Sequence, residues 1–425
     1  MTSFSLLFYV TLYMSFLSSV EAAATAVGAV VEVRSIAAHV NMMAVGDPTE
    51  ATTAQATGHV GVMYYDFRTN DWIDNEAVLL NPYVLNVGPP SIVAYGDSNT
   101  DVNGNSGFGY DLTCATEDTM FISAASKEYN TGRVYLYKGR NAHWTAQQIL
   151  NSYHTGPSET YSSSSNTFFG EAIDSSENIL AVGCRNCNST VKGYTQSGEI
   201  YVFRPEKDKK SVLWTNTQVL TGKDIYFLGG HVAMHQNVIV ASGNSKEDFT
   251  LNTISTTPIL ASIFFAEDYL EDKGPKSEFK YYQNIATRDP LYQRVADVAV
   301  YDMTVAIATY DTFHNFNNVY VFYPNTKKYR LESKDPKGKP RPLSWSLVQV
   351  LTLPDPVTKY SYLNPTYLSL ADNRLFMRAF DGGEDLTLDT NRTTRDGAYF
   401  PFYVKEIATK NDLTNHMMVA SDFKL

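Results

Sequence analysis

The chain has 425 residues, 44% of them hydrophobic and 13% aromatic, which is enough apolar side chain for a large core and too much for a disordered chain. A formal charge of −11 leaves no basic surplus for a nucleic-acid partner, and three cysteines are too few to build a disulfide scaffold. The run from Phe4 to Val20 is apolar and is followed by Glu21-Ala22-Ala23-Ala24, small residues of the kind a signal peptidase accepts. It predicts a cleaved leader over residues 1–23 and a single domain over 24–425, secreted or held in the lumen of the secretory pathway, with no transmembrane segment after cleavage. A membrane anchor is the alternative, disfavoured because the run is short for a span.

From Val31 onward, short apolar runs bounded by turn residues recur in groups of four, and each group reads as four antiparallel strands, a to d. In the first unit strand a ends at His39, Asn41 makes the turn, Met42 to Gly46 is strand b, Gly58 to Tyr64 is strand c, and Trp72 leads into strand d at Ala77 to Leu80. Asp97, Asn99, Asp101 and Asn103 then place oxygen ligands at alternate positions, as in a calcium loop, but the later Glu that completes an EF-hand is missing, and a solvated loop is the better reading.

The second unit is complete: Phe108-Gly109 opens an apolar run to Cys114, Glu117-Asp118 makes a polar turn, and Met120-Phe-Ile122 is strand b. Gly132 to Tyr137 is strand c, and Trp144 precedes Gln147-Gln-Ile-Leu150. Cys114 falls inside an apolar strand, where a buried thiol is expected. The third unit matches it closely, with Phe169-Gly170, a turn at Asn178, Ile179 to Gly183, Gly198 to Phe203, Trp214 and Gln218-Val-Leu220. In its b–c loop, Cys184 and Cys187 are spaced to close a small disulfide in an oxidising compartment, whereas zinc would need a second pair. Asn188 opens a glycosylation sequon there, and Tyr194 and Gln196 lie further along the same loop as candidate ligand contacts.

The fourth unit is looser: Leu228-Gly229, Asn237, Val238 to Ala241, Ala261 to Phe265, and Tyr281-Tyr282 where a tryptophan is expected. Its His231 and His235 are four apart on a strand, with no HExxH motif or carboxylate partner in the sequence, and read as structural. The fifth has Val295 to Val300, Val305 to Ala308, Asn318 to Phe322 and Trp345, with a basic c–d loop from Lys327 to Arg341. The sixth has Tyr367 to Leu370, Asn373, Leu375 to Met377 and Gly397 to Phe400. Its b–c loop carries Asp385 and Asp389, further candidate ligand contacts, and the sequon at Asn391.

All four tryptophans, at 72, 144, 214 and 345, stand at the start of a predicted strand d. A large aromatic at one station of every outer strand fills the widening wedge between neighbouring sheets, and Gly or Ala at the end of strand b suits the place where sheets converge. The turn asparagines at 41, 178, 237 and 373 are expected to supply the positive φ that a tight a–b hairpin needs. The fold class is therefore all-β: a β-propeller of six four-stranded antiparallel blades. A seventh is the alternative, because Asn415 to Ala420 resembles another turn and strand b.

Phe-Gly, an apolar strand ending in Val-Gly or Ala-Gly, then Gly-x-Val-Tyr-x-Phe and a tryptophan, resembles the FG-GAP repeat of the integrin alpha-subunit propeller and its secreted relatives. The resemblance covers six units and implies an extracellular propeller that binds protein or carbohydrate. Calcium-binding members of that family carry a long Asp-rich a–b loop. Here those turns are too short to wrap a cation, so calcium is not supported and no cofactor is expected. No nucleophile elbow, P-loop or sialidase-type Asp box is present. The leading expectation is a binding or adhesion module for an extracellular protein or glycan, using the face that carries the long b–c loops. A hydrolase of extracellular carbohydrate and a structural coat component are the alternatives.

Overall fold

The computed structural model describes residues 35–39, 42–47, 59–66, 68, 71–80, 108–125, 132–140, 143–152, 167–187, 197–206, 213–245, 259–266, 278–287, 294–310, 316–324, 344–351, 367–371, 374–380 and 397–403. They form six consecutive antiparallel sheets. The first is β1 (Ser35–His39), β2 (Met42–Asp47), β3 (His59–Asp66) and β4 (Asp71–Leu80), and the second is β5 (Phe108–Thr116), β6 (Thr119–Ala124), β7 (Arg133–Arg140) and β8 (His143–Leu150). The third is β9 (Phe169–Ser176), β10 (Ile179–Cys184), β11 (Glu199–Pro205) and β12 (Trp214–Leu220). A two-residue pair, β13 (Ile225–Tyr226) with β16 (Asn244–Ser245), brackets the start of the fourth sheet, β14 (Val232–His235), β15 (Val238–Ser242), β17 (Ile259–Phe265) and β18 (Lys280–Ala286). The fifth is β19 (Arg294–Tyr301), β20 (Thr304–Tyr310), β21 (Phe316–Pro324) and β22 (Trp345–Leu351). The sixth has three described strands, β23 (Tyr367–Ala371), β24 (Arg374–Phe380) and β25 (Gly397–Tyr403).

Each sheet runs in simple sequence order, as a propeller blade does, and the fold is all-β and propeller-like. The strand patterns follow from position in the blade. Strands b are covered on both faces, so Thr119–Ala124 and Ile179–Cys184 are buried at every residue, whereas strand d of the second blade alternates exposed and buried through Trp144, Thr145 and Ala146.

The chain divides into two compact units, one holding the first two blades and the other the remaining four. In the first, β1 and β2 pack on β5. In the second, β9 and β10 pack on β14, β14 and β15 on β19, and β19 and β20 on β23. Blades thus approach most closely through strands a and b. That explains the small residue closing strand b: a Cβ on Gly46 would lie 2.4 Å from the carbonyl oxygen of Gly109, and one on Gly183 would lie 2.1 Å from that of Gly229. Gly46 sits against strand a of the following blade and Gly183 against the segment that leads into it, so an Ala at either would force the two backbones apart.

Outer strands are locked differently. Trp345 is buried against Phe265 and Tyr282 of the preceding blade, with ring centroids 6.2 and 5.7 Å away, and its Nε1 donates to the Met303 carbonyl at 2.8 Å. In the first unit, Trp144 Nε1 donates to the hydroxyl of Tyr64, again one blade back. A glutamine four residues after the aromatic station reaches forward to the next blade. The Gln283 amide accepts from Trp345 N at 2.8 Å and donates to Trp345 O at 2.9 Å, and Gln218 does the same to N and O of Phe279. Both ends of a side-chain amide thereby satisfy one residue's backbone, a pairing that only Gln or Asn can make.

Register corrects the fourth aromatic. Phe203 pairs with Asn216 and Phe322 with Leu347, each two residues past a tryptophan, while Phe264 pairs with Tyr281. The residue at the tryptophan station is therefore Phe279, which is fully buried, and not Tyr281 or Tyr282. The turn asparagines also act otherwise than expected. Positive φ falls on the preceding residue, 54° at Glu177 and 53° at Gln236, and not on Asn178 or Asn237. Asn237 instead donates its side-chain amide to Ala266 O and accepts Ala266 N at its own carbonyl, tying the a–b turn to the end of strand c. Asn41, Asn373 and the stretch Asn415 to Leu425, on which the seventh blade turned, lie outside the described residues, as do the leader and the basic loop from Lys327 to Arg341.

Candidate functional site

In the third, fourth and fifth blades, the end where strand b stops and strand a begins brings ionisable side chains together. In the third blade a tight corner forms there. Cys184 and Cys187 are joined by a disulfide with Cα atoms 5.4 Å apart, and Cys187 N donates to Cys184 O. Asn186 N bonds Thr167 O, Gly198 N bonds Cys187 O, and Phe168 takes a φ of 54° to let the chain enter β9. Beneath the disulfide, buried Glu199 accepts a 2.9 Å hydrogen bond from Tyr201, whose hydroxyl also lies 3.8 Å from Cys187 Sγ. Between the two cysteines, the Arg185 guanidinium lies over the Phe168 ring at 5.1 Å and pairs through Nε with Glu171 at 3.0 Å.

Arg185 also lies against the fourth blade. A Cβ on Gly230 would meet its Cδ at 3.4 Å, which places Arg185 one residue from His231. His231 is held by its backbone N–H to Ser242 Oγ at 2.8 Å, and its Nδ1 stands 3.6 Å from Asp297 Oδ1 on β19. Asp297 in turn accepts Val298 N at 2.8 Å and, through Oδ2, Leu368 N of the sixth blade at 2.6 Å. The result is a row across three successive blades: Glu171, Arg185, His231, Asp297. Arg185 and His231 are the outward members, with side chains 38% and 37% exposed, and the two acids are less exposed, at 12% and 20%. Held side chains of this kind lose little entropy on meeting a ligand, and they present donors in fixed positions.

The expectation that His231 and His235 have no carboxylate partner is corrected here, because the partners come from the next blade and sequence spacing could not show them. His231 meets Asp297. His235, at the opposite end of β14, accepts from Asp302 N at 3.2 Å and stacks on Tyr301 at 4.5 Å. Burial pulls the His235 pKa below the ordinary histidine value against the opposing charge of Asp302, as suits a packed, neutral ring. Cys114 is half-buried, and desolvation pushes its thiol up to about 12.

The sequence candidates Tyr194, Gln196, Asp385, Asp389, Asp97, Asn99, Asp101 and Asn103 and the sequons at Asn188 and Asn391 all lie outside the described residues. Sequence reading passed over Arg185, Glu171 and Asp297. The available signal was an arginine inside Cys-x-x-Cys and an acid directly after Phe-Gly. Among the described residues no group of three His, Cys, Asp or Glu side chains is placed to hold a metal.

No family model and no curated protein matches this chain. Among solved structures, it is similar to the β-propeller domain of the trilobed protease from Pyrococcus furiosus, described as having an open velcro topology. That similarity is at 9% identity over 90% of this chain and 97% of that one, with a TM-score of 0.35.

Proposed function

We propose that this protein is a secreted or lumenal, FG-GAP-like propeller that binds an extracellular protein or glycan through the b–c ends of its blades. The observation that carries this reading is the row Glu171–Arg185–His231–Asp297, in which Arg185 and His231 are held outward by half-buried acids over three successive blades. Fixed donors on a broad surface suit hydroxyl-rich or carboxylate-bearing ligands. The Cys184–Cys187 disulfide supports an oxidising compartment, in keeping with the leader and the two sequons. The hydrolase alternative is less well supported, since a general acid must be at liberty to give up a proton. Asp297 already accepts from two backbone amides and faces His231, and Glu171 is paired with Arg185. Integrin-like adhesion remains part of the same proposal and rests on the repeat alone.

The test is a glycan array and extracellular-protein array probed with the purified secreted chain, beside Arg185→Ala and His231→Ala. The reading expects at least one ligand class whose binding falls about tenfold or more in both variants at an unchanged melting temperature. Ligands that bind all three proteins equally would place recognition elsewhere, and turnover of a glycan without retained binding would favour the hydrolase.

A further inference from the structure

Arg185 and His231 each turn one side to an anchoring acid and keep another side free. Nε of Arg185 faces Glu171 at 3.0 Å, and the guanidinium lies over the Phe168 ring, 5.1 Å from its centroid. The two terminal nitrogens have no partner among the described residues. Held by an acid at one edge and a ring beneath, they form a pre-set fork of N–H donors, the geometry that takes a carboxylate through two parallel hydrogen bonds.

His231 offers a different group. Its backbone N–H is fixed by Ser242 Oγ at 2.8 Å, and its Nδ1 stands 3.6 Å from Asp297 Oδ1. A carboxylate facing Nδ1 draws the proton of the neutral ring to that nitrogen, which leaves Nε2 as an acceptor with no partner among the described residues. An acceptor calls for a donor. A hydroxyl supplies one, and it can also accept from the same nitrogen once the ring is protonated.

The two groups face different ways. Arg185 packs on the chain at Gly230, where a Cβ would meet only Arg185 Cδ at 3.4 Å and Ser242 Oγ at 3.5 Å, whereas His231 turns to the fifth blade. Different atoms of a ligand therefore reach them, an anionic group at Arg185 and a hydroxyl at His231. An acidic peptide side chain answers Arg185 alone, while a sugar acid carries both groups on one rigid ring. Charge points the same way: the chain carries −11, which repels an acidic protein surface far more than a ligand with a single carboxylate among neutral hydroxyls.

We propose that Arg185 and His231 bind a carboxylated sugar, with its carboxylate on the Arg185 fork and a ring hydroxyl on Nε2 of His231. This inference rests on the binding function proposed above and names the ligand class at that site.

The experiment titrates the full chain with methyl glucuronide, following saturation-transfer NMR. Two further probes each lack one group: methyl glucoside has the hydroxyls without the carboxylate, and an acetyl-Gly-Glu-Gly amide has the carboxylate without the hydroxyls. All three are repeated on Arg185→Lys, which keeps the charge and removes the fork, and on His231→Leu, with melting temperatures measured beside them. Arg185→Lys keeps the assay readable if His231→Leu fails to fold. We expect the wild type to bind methyl glucuronide at millimolar concentration or below, at least about tenfold more tightly than either other probe, and each folded variant to lose about tenfold. Equal binding of the glucoside would overturn the role of the carboxylate, equal binding of the peptide would overturn the sugar, and binding unchanged in both variants would overturn the site. An array ligand without a carboxylate that is lost in the Arg185→Ala and His231→Ala proteins would overturn this inference and leave the proposed function standing. Silence of every array ligand and of all three probes would overturn both.

Discussion

The third and fifth blades share an outer frame and differ at the inner edge. Both begin strand d with a buried tryptophan, and both repeat aromatic-x-x-x-Gln-x-Leu there, as Trp214 to Leu220 and Trp345 to Leu351. At the inner edge they part: the third pairs Phe169 with Cys184 and closes that corner with a disulfide, whereas the fifth pairs Val295 with Thr309 and has no cysteine. The difference teaches that the blade is held by its outer strand. Where a tryptophan and a glutamine already fix neighbouring sheets, the inner corner is at liberty to vary, and that is where the ionic row lies.

The largest expected effect comes from breaking the shared frame. Trp214→Ala and Trp345→Ala should each cost about 3 to 5 kcal/mol in urea unfolding, the range for large buried aromatics. Near-equal losses would support one frame for both blades, and a loss under about 1 kcal/mol in either would separate them. Next come the amide pairings. Gln218→Ala and Gln283→Ala each leave one backbone donor and one acceptor of the following blade without a partner, for a loss of about 1 to 3 kcal/mol. Gln283→Glu should cost nearly as much, since a carboxylate cannot donate to Trp345 O.

Smaller still is the pH dependence at His235. Its folded pKa lies below the ordinary value of about 6.5, so in the window just under that value the unfolded chain binds more protons than the folded one. Stability should fall as pH drops from about 6.5 through the folded value and level off below it, and His235→Gln should flatten that part of the urea-midpoint profile. A steeper profile in the variant would mean that the ring is stabilised when charged. The smallest effect is a null: Cys114, with its thiol raised to about 12, should not react with an aromatic disulfide reagent in the native protein at pH 8. Denaturation without reductant should release one reactive thiol, and reduction all three.

Much of the frame could be read from the chain because it repeats. Strand order, the tryptophan station and the small residue closing strand b each have a local physical cause that recurs from unit to unit. Reading failed where the cause lies one blade away. Nothing near His231 in sequence announces Asp297, and the glutamine is conspicuous only once register shows that it faces the next blade's backbone. Phe279 was missed because Tyr281-Tyr282 offers two aromatics at nearly the right spacing, and only the bulge between Ile263 and Phe264 sets the count. Positive φ was expected at the turn asparagines, but it falls one residue earlier at Glu177 and Gln236, and Asn237 instead uses its side chain to bridge to Ala266 at the end of strand c. Loop candidates such as Tyr194 and Asp385 had no periodicity to constrain them.

The fourth blade gives the most direct test that one outer-strand repeat frames every blade, because among the blades whose strand d is described it alone lacks the tryptophan. Urea unfolding of Phe279→Ala, Tyr281→Ala and Tyr282→Ala measures which aromatic stands in. The account predicts that Phe279→Ala loses about 3 to 5 kcal/mol, as a buried tryptophan would, and that half-buried Tyr281→Ala loses less than half as much. A greater loss at Tyr281 than at Phe279 would contradict it.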